Sequence, residues 1–160
     1  MSIDRIKTIA LGRRELLKHF GLSAVAVASS GLALKNAQAT PAKAAEYLSK
    51  MTNGSKGTEG RVTVKLPEIA ENGRTVPITI VVDSPMTKDN YVKSVHVVAE
   101  LNPSPEVISF NLSPGMGKAE VSTRMRLGKT QNVRAAAIMS DGSVFTGTRE
   151  VKVTIGGCGG

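Results

Sequence analysis

The hydrophobic pattern changes its period once along the chain. Over Pro41–Met51, the residues Ala44, Ala45, Leu48 and Met51 recur at helical spacing. Thr40 stands where a cap belongs and Pro41 fits the first helical position, so a short helix is predicted there. Thr52–Gly60 is rich in glycine and small polar residues and reads as a linker, which makes 40–60 a helix-and-linker segment. From Arg61 onward the period is two.

Strands are expected at Arg61–Leu66 (Val62, Val64 and Leu66 on one face) and at Val76–Asp83 (Ile78, Ile80 and Val82). Glu68–Arg74 between them reads as a turn ending in Asn72-Gly73. Tyr91–Leu101 groups Val95, Val97, Ala99 and Leu101, and Asn102-Pro103-Ser104-Pro105 breaks it. Glu106–Leu112, Lys118–Leu127, Asn132–Met139 and Ser143–Ile155 follow, the last two joined by Asp141-Gly142, a hairpin signal. Seven strands result, or eight if the last bends near Gly147. With no helix between them, the pattern predicts an all-β fold: an antiparallel immunoglobulin-like sandwich over 61–155. Its core is expected to be aliphatic, with Phe110 and Phe145 as its phenylalanines.

Residues 1–39 have the organisation of an export signal. Met1–Lys18 is mixed and basic, Phe20–Leu34 is apolar but diluted by Gly and Ser, and Ala37-Gln38-Ala39 has the small-x-small form of a cleavage site. The apolar stretch falls short of the roughly 20 residues of a membrane span. Gly12-Arg13-Arg14-Glu15-Leu16-Leu17-Lys18 is similar to the twin-arginine export motif, with departures at Gly12 and Leu16. The mature chain is therefore expected to begin near Thr40 and to work outside the cytoplasm.

Setting the leader aside halves the net charge. It holds six of the 21 basic and two of the 13 acidic groups, so +8 becomes +4. The remaining basic residues are scattered and only 3% of the chain is aromatic, which argues against nucleic acid. A modest positive field that attracts anions is the better reading. A single cysteine excludes an internal disulfide and thiolate-rich metal sites.

The body offers little catalytic chemistry. His96 is the lone histidine of the mature chain, placed opposite Val95 and Val97, and nothing completes a nucleophile–base set around it. Met86, Met116, Met125 and Met139 raise the question of a copper site, but they are widely spaced and two fall on inward positions. The acids form no calcium loop. The body reads as a binding or carrier scaffold rather than an enzyme, with no cofactor or metal implied. Two other classes stay open: a metal-binding module using methionine, His96 and Cys158, and an assembly domain anchored by a disulfide through Cys158.

The C-terminus is the distinctive part. Val151–Ile155 runs directly into Gly156-Gly157-Cys158-Gly159-Gly160. Four glycines offer no side chain to bury and permit nearly every backbone conformation, so they are expected to form a flexible arm. From Ile155 to Cys158 the backbone can extend roughly 10 Å. No Lys, Arg or His adjoins Cys158 in sequence, so its thiol is not expected to be activated in the way catalytic cysteines are.

This pentapeptide, behind a twin-arginine-like leader and together with Pro67-Glu68-Ile69-Ala70-Glu71-Asn72-Gly73 and Val76-Pro77, resembles the SoxY family, the sulfur carriers of the periplasmic Sox thiosulfate-oxidation system. The resemblance implies a periplasmic carrier that holds thiosulfate-derived sulfur covalently on Cys158, with Gly156, Gly157, Gly159 and Gly160 as the swinging arm. It implies a heterodimer with SoxZ, exported as a folded pair. It further implies transient visits to the SoxAX cytochrome, the SoxB hydrolase and, where present, the sulfur dehydrogenase SoxCD.

Overall fold

The structure is a computed structural model and describes residues 40–156; residues 1–39, where an export signal is expected, and residues 157–160 lie outside them. Helix α1 spans Pro41–Met51. Its N-cap is Thr40, whose side-chain oxygen accepts from the Lys43 N–H, and Pro41 occupies the first turn. Strands follow as β1 (Thr58–Glu59), β2 (Val62–Lys65), β3 (Ile69–Asn72), β4 (Val76–Val82) and β5 (Val92–Ala99). The remainder are β6 (Glu106–Asn111), β7 (Glu120–Met125), β8 (Gln131–Met139) and β9 (Val144–Ile155).

Two sheets face each other as an immunoglobulin-like sandwich. The larger has the order β1-β9-β8-β5-β6, with β3 also on β9; the smaller is β2-β4-β7. Period-two alternation explains the packing. Val62, Val64, Ile78, Ile80 and Val82 face inward from the smaller sheet, and Val95, Val97, Ala99, Val133, Ala135 and Ala137 from the larger. The interior is aliphatic: Phe110 and Phe145 are only partly buried and pack against the rim of the core. Every methionine expected to lie inward does so: Met125 and Met139 are buried, as is Met86, whose sulfur accepts the Val92 N–H at 3.4 Å. Helix α1 covers part of the larger sheet's outer face, setting Ala44 and Leu48 against Val98, Ala136 and Val144. Ala45, predicted to share that face, is exposed.

Two segments differ from the expectation. The linker contains β1, and the expected turn at Glu68–Arg74 contains β3, giving nine strands. Both pair in parallel with β9, Thr58 opposite Phe145 and Ala70 opposite Val153, so the larger sheet is not wholly antiparallel. The physical reason is that β9, at 12 residues, offers a long free edge whose backbone groups must be satisfied. It recruits short segments that carry almost no apolar pattern; β3 buries only Ala70.

Between β1 and β3 the chain crosses to the smaller sheet and back. Arg61 makes that turn with φ 57°. Its guanidinium donates to the Asp83 carbonyl at 2.9 and 2.7 Å and lies 4.8 Å from the Phe145 ring centre. The crossing chain passes so close to β9 that a Cβ at Gly147 would collide with the Val62 carbonyl. Gly147, where a bend was the alternative expectation, lies inside the single strand β9, and glycine there is demanded by close approach. Among the described residues, no helix is long and apolar enough to cross a membrane.

Candidate functional site

Of the residues expected to carry function, Gly156 lies within the described chain, and Gly157, Cys158, Gly159 and Gly160 lie outside it. What the structure shows is the root from which that segment departs. Strand β9 keeps its pairing to its last residue, with Ile155 opposite Asn72. The Gly73 N–H donates to the Ile155 carbonyl at 2.7 Å, and the Thr154 hydroxyl donates to the Glu71 carbonyl at 2.9 Å. On the other side the Val153 N–H donates to the Thr130 hydroxyl at 3.0 Å. Gly156 is exposed but passes close to Gly128: a Cβ there would strike the Gly128 carbonyl oxygen. Ile155 itself is 68% exposed, an apolar side chain left uncovered beside the exit.

The loop that Gly156 touches is held from beneath by two buried amides that the sequence reading passed over. The Asn102 side-chain N–H donates to the Arg126 carbonyl at 2.8 Å, and its side-chain oxygen accepts from the Gly128 N–H at 3.1 Å. The same oxygen accepts from the Gln131 side chain at 2.9 Å, while the Gln131 oxygen accepts the Leu101 N–H at 2.7 Å. The Leu127 N–H closes the ring on the Gly73 carbonyl at 2.8 Å. Asn102 and Gln131 are 7% and 3% exposed, and buried amides so fully bonded rigidify what they hold. The visible signal in sequence was an Asn and a Gln placed at loop–strand junctions.

Beside this loop lies a cavity of about 340 Å³ between the β6 and β7 edges. Arg74, Arg124 and Arg126 line it, with Asn102 and Glu106.

His96 sits half-buried on the outer face of β5, as expected from its alternation. Its ring nitrogens meet two hydroxyls, Nε2 with Ser94 at 3.1 Å and Nδ1 with Ser109 at 2.8 Å. Burial pushes its pKa below the ordinary value, and only the Glu106 charge opposes this. Tyr47 of α1 is pushed the other way by burial and by Glu106. Glu100 is buried and bonded to Arg134 at 2.9 Å and to Asn132 at 3.2 Å. Among the described residues, no group of three or more His, Cys, Asp or Glu side chains is placed to hold a metal.

The fold is a sandwich whose last strand is held by β3 as far as Ile155 and on its other side as far as Val153. The chain matches the family described as sulfur oxidation protein SoxY over residues 49–158. It also matches the structure of the sulfur carrier protein SoxY from Chlorobium limicola f thiosulfatophilum. The two are 36% identical with a TM-score of 0.60, covering 72% of this chain and all of that one. This chain belongs to the SoxY family. A superoxide reductase (neelaredoxin) from Ignicoccus hospitalis shares 14% identity at a TM-score of 0.53, over 59% of this chain and 80% of its own. A superoxide reductase from Thermotoga maritima, described as putative, shares 15% at 0.50, over 61% and 87%. At such identities these two show the fold alone. No curated protein matches the chain.

Proposed function

We propose that this protein is a covalent sulfur carrier of the periplasm, with Cys158 as the point of attachment. The observation that carries the reading is the place of the thiol relative to the end of β9. Pairing with β3 continues to Ile155, and the only cysteine of the sequence follows three residues later, between glycines. The family match runs through residue 158, so it reaches that thiol. A rigid body ending in a pliable thiol segment suits a substrate that must visit several enzymes without being released, because tethering raises its effective concentration at each.

The Cys158 thiolate and thiosulfate form a sulfur–sulfur bond, giving a cysteine S-thiosulfonate and two electrons that pass to the SoxAX cytochrome. Water then attacks the sulfonate sulfur on the SoxB hydrolase, releasing sulfate and protons and leaving a persulfide on Cys158. The sulfur dehydrogenase SoxCD, where present, oxidises the outer sulfur to a sulfonate with oxygens taken from water, the electrons passing to a cytochrome acceptor and the protons to solvent. Hydrolysis then releases the second sulfate and returns the Cys158 thiol. This chain supplies the nucleophile and its mobility; the enzymes supply activation. SoxZ is the expected heterodimer partner, and Gly156, Gly157, Gly159 and Gly160 form the arm. At Gly156 glycine is required additionally for contact with Gly128.

The test is direct. Cys158→Ser abolishes thiosulfate-dependent electron transfer while the thermal melt stays that of the wild type. Intact mass of protein from cells oxidising thiosulfate shows one added sulfur, or a thiosulfonate, on the last peptide. Unchanged turnover in the variant would end the proposal.

A further inference from the structure

An arm that reaches an enzyme's interior brings the surface around its root against the mouth of that enzyme's cleft. Cys158 follows Gly156 by two residues, roughly 7 Å of extended backbone. A thiol on so short a tether reaches a recessed site only if the carrier's body abuts the rim. The chemistry of the surface around the root therefore reports the chemistry of that rim.

That surface is basic and unneutralised. Arg74 sits on the turn beside Gly73, and Arg126 and Lys129 lie on the loop that touches Gly156; all three are exposed. Arg124 is one step back on β7 and lines the cavity with Arg74 and Arg126. Among the described residues the ion pairs are Glu46–Lys50 and Glu100–Arg134, and none of these four cations takes part in one. Glu106 is the one carboxylate among the residues lining the cavity, against three arginines, so the lining keeps a net positive charge. Glu71, at the end of β3 three residues before Arg74, is an exposed carboxylate that borders the positive surface. Guanidinium groups are suited to bidentate contact with carboxylates, and an unpaired set is suited to an external acidic partner.

We propose that Arg74, Arg124 and Arg126 form a docking surface for the acidic rim of the clefts that the arm enters. This rests on the carrier reading above and deepens it, by assigning recognition to the body and cargo to the arm. Rim charges act mainly on encounter and orientation, so the effect belongs in kcat/KM for the carrier and not in kcat.

The experiment is thiosulfate-dependent cytochrome reduction by the complete enzyme system, with the carrier, together with its partner subunit, varied from limiting to saturating. Arg74→Glu with Arg126→Glu should lower kcat/KM roughly tenfold at low ionic strength, with kcat kept within about twofold. Wild-type kcat/KM should fall toward the variant's as sodium chloride rises from about 50 to about 200 mM, an arm that needs no mutation. Arg74→Gln with Arg126→Gln should give an intermediate loss with an unchanged melt. Lys88→Glu with Lys118→Glu, in loops at the opposite end, should change little. Unaltered kcat/KM and an equal salt slope in the arginine variants would overturn the proposal. So would inhibition by sulfate far beyond chloride at matched ionic strength, which would mark a site for a small oxyanion instead. Full activity in Cys158→Ser is a separate result that sinks the carrier reading itself.

Discussion

The two ends of the sandwich are built by different means. At the distal end, the loops after β4, before β7 and between β8 and β9 carry Asp83, Asp89 and Asp141 among Lys88 and Lys118, a mixed surface. Its turns are local. The Asp141 carboxylate accepts from the Ser143 N–H at 2.8 Å and its hydroxyl at 2.6 Å, and Gly142 takes φ +85° with open space around it. At the end where β9 exits, the loops are fixed by long-range bonds through Asn102 and Gln131, glycine is required by contact, and the exposed cations Arg74, Arg124, Arg126 and Lys129 outnumber Glu71 and Glu106. A hairpin tip has only to turn, whereas the end where β9 exits is held by bonds between segments remote in sequence.

That contrast can be broken most severely at Asn102. Asn102→Ala strands the Gly128 N–H, the Arg126 carbonyl and one Gln131 N–H, and is expected to cost about 2–3 kcal/mol in a denaturant melt. Gly156→Ala should cost about 1–3 kcal/mol or displace the root, because the obstacle is the backbone of Gly128. Matched stability with the wild type would show that Gly156 does not pass close to Gly128. Gly142→Ala at the distal hairpin should cost only about 1 kcal/mol, the strain of its backbone conformation with no clash added. Reversal of the last two would mean that the ends do not differ as described.

The smallest expected effect lies between the ends, at His96. Its folded pKa is depressed below 6.5 by burial, so the unfolded chain takes up a proton first as pH falls. The neutral ring's contribution is complete above pH 6.5 and is lost as pH drops through the lower folded value. Chemical denaturation across that window should show wild type losing stability relative to His96→Gln. A flat difference would place the ring in water.

Alternation made the body of the fold legible. Val95, Val97 and Ala99, or Ile78, Ile80 and Val82, are placed by period two alone, and each is buried as that period requires. The helix was legible for the same reason, together with its cap. Strands β1 and β3 were not, because their stability comes from the edge of β9, which lies far away in sequence. The arginine surface was hidden by dispersal. Arg74 and Arg126 stand about fifty residues apart and look like scattered charge until the Leu127–Gly73 bond brings their segments together.

The sequence alone determined the sandwich, its aliphatic interior, the family and the single thiol among glycines. Each of these is written in local pattern or in one short motif, and burial by alternation needs no knowledge of the distant chain. Only the tertiary structure decided where β9 stops being held, which buried amides hold it, and which charges surround the exit. Those are meetings between residues remote along the chain, and a backbone donor or a guanidinium acquires its role from whatever the fold sets opposite it.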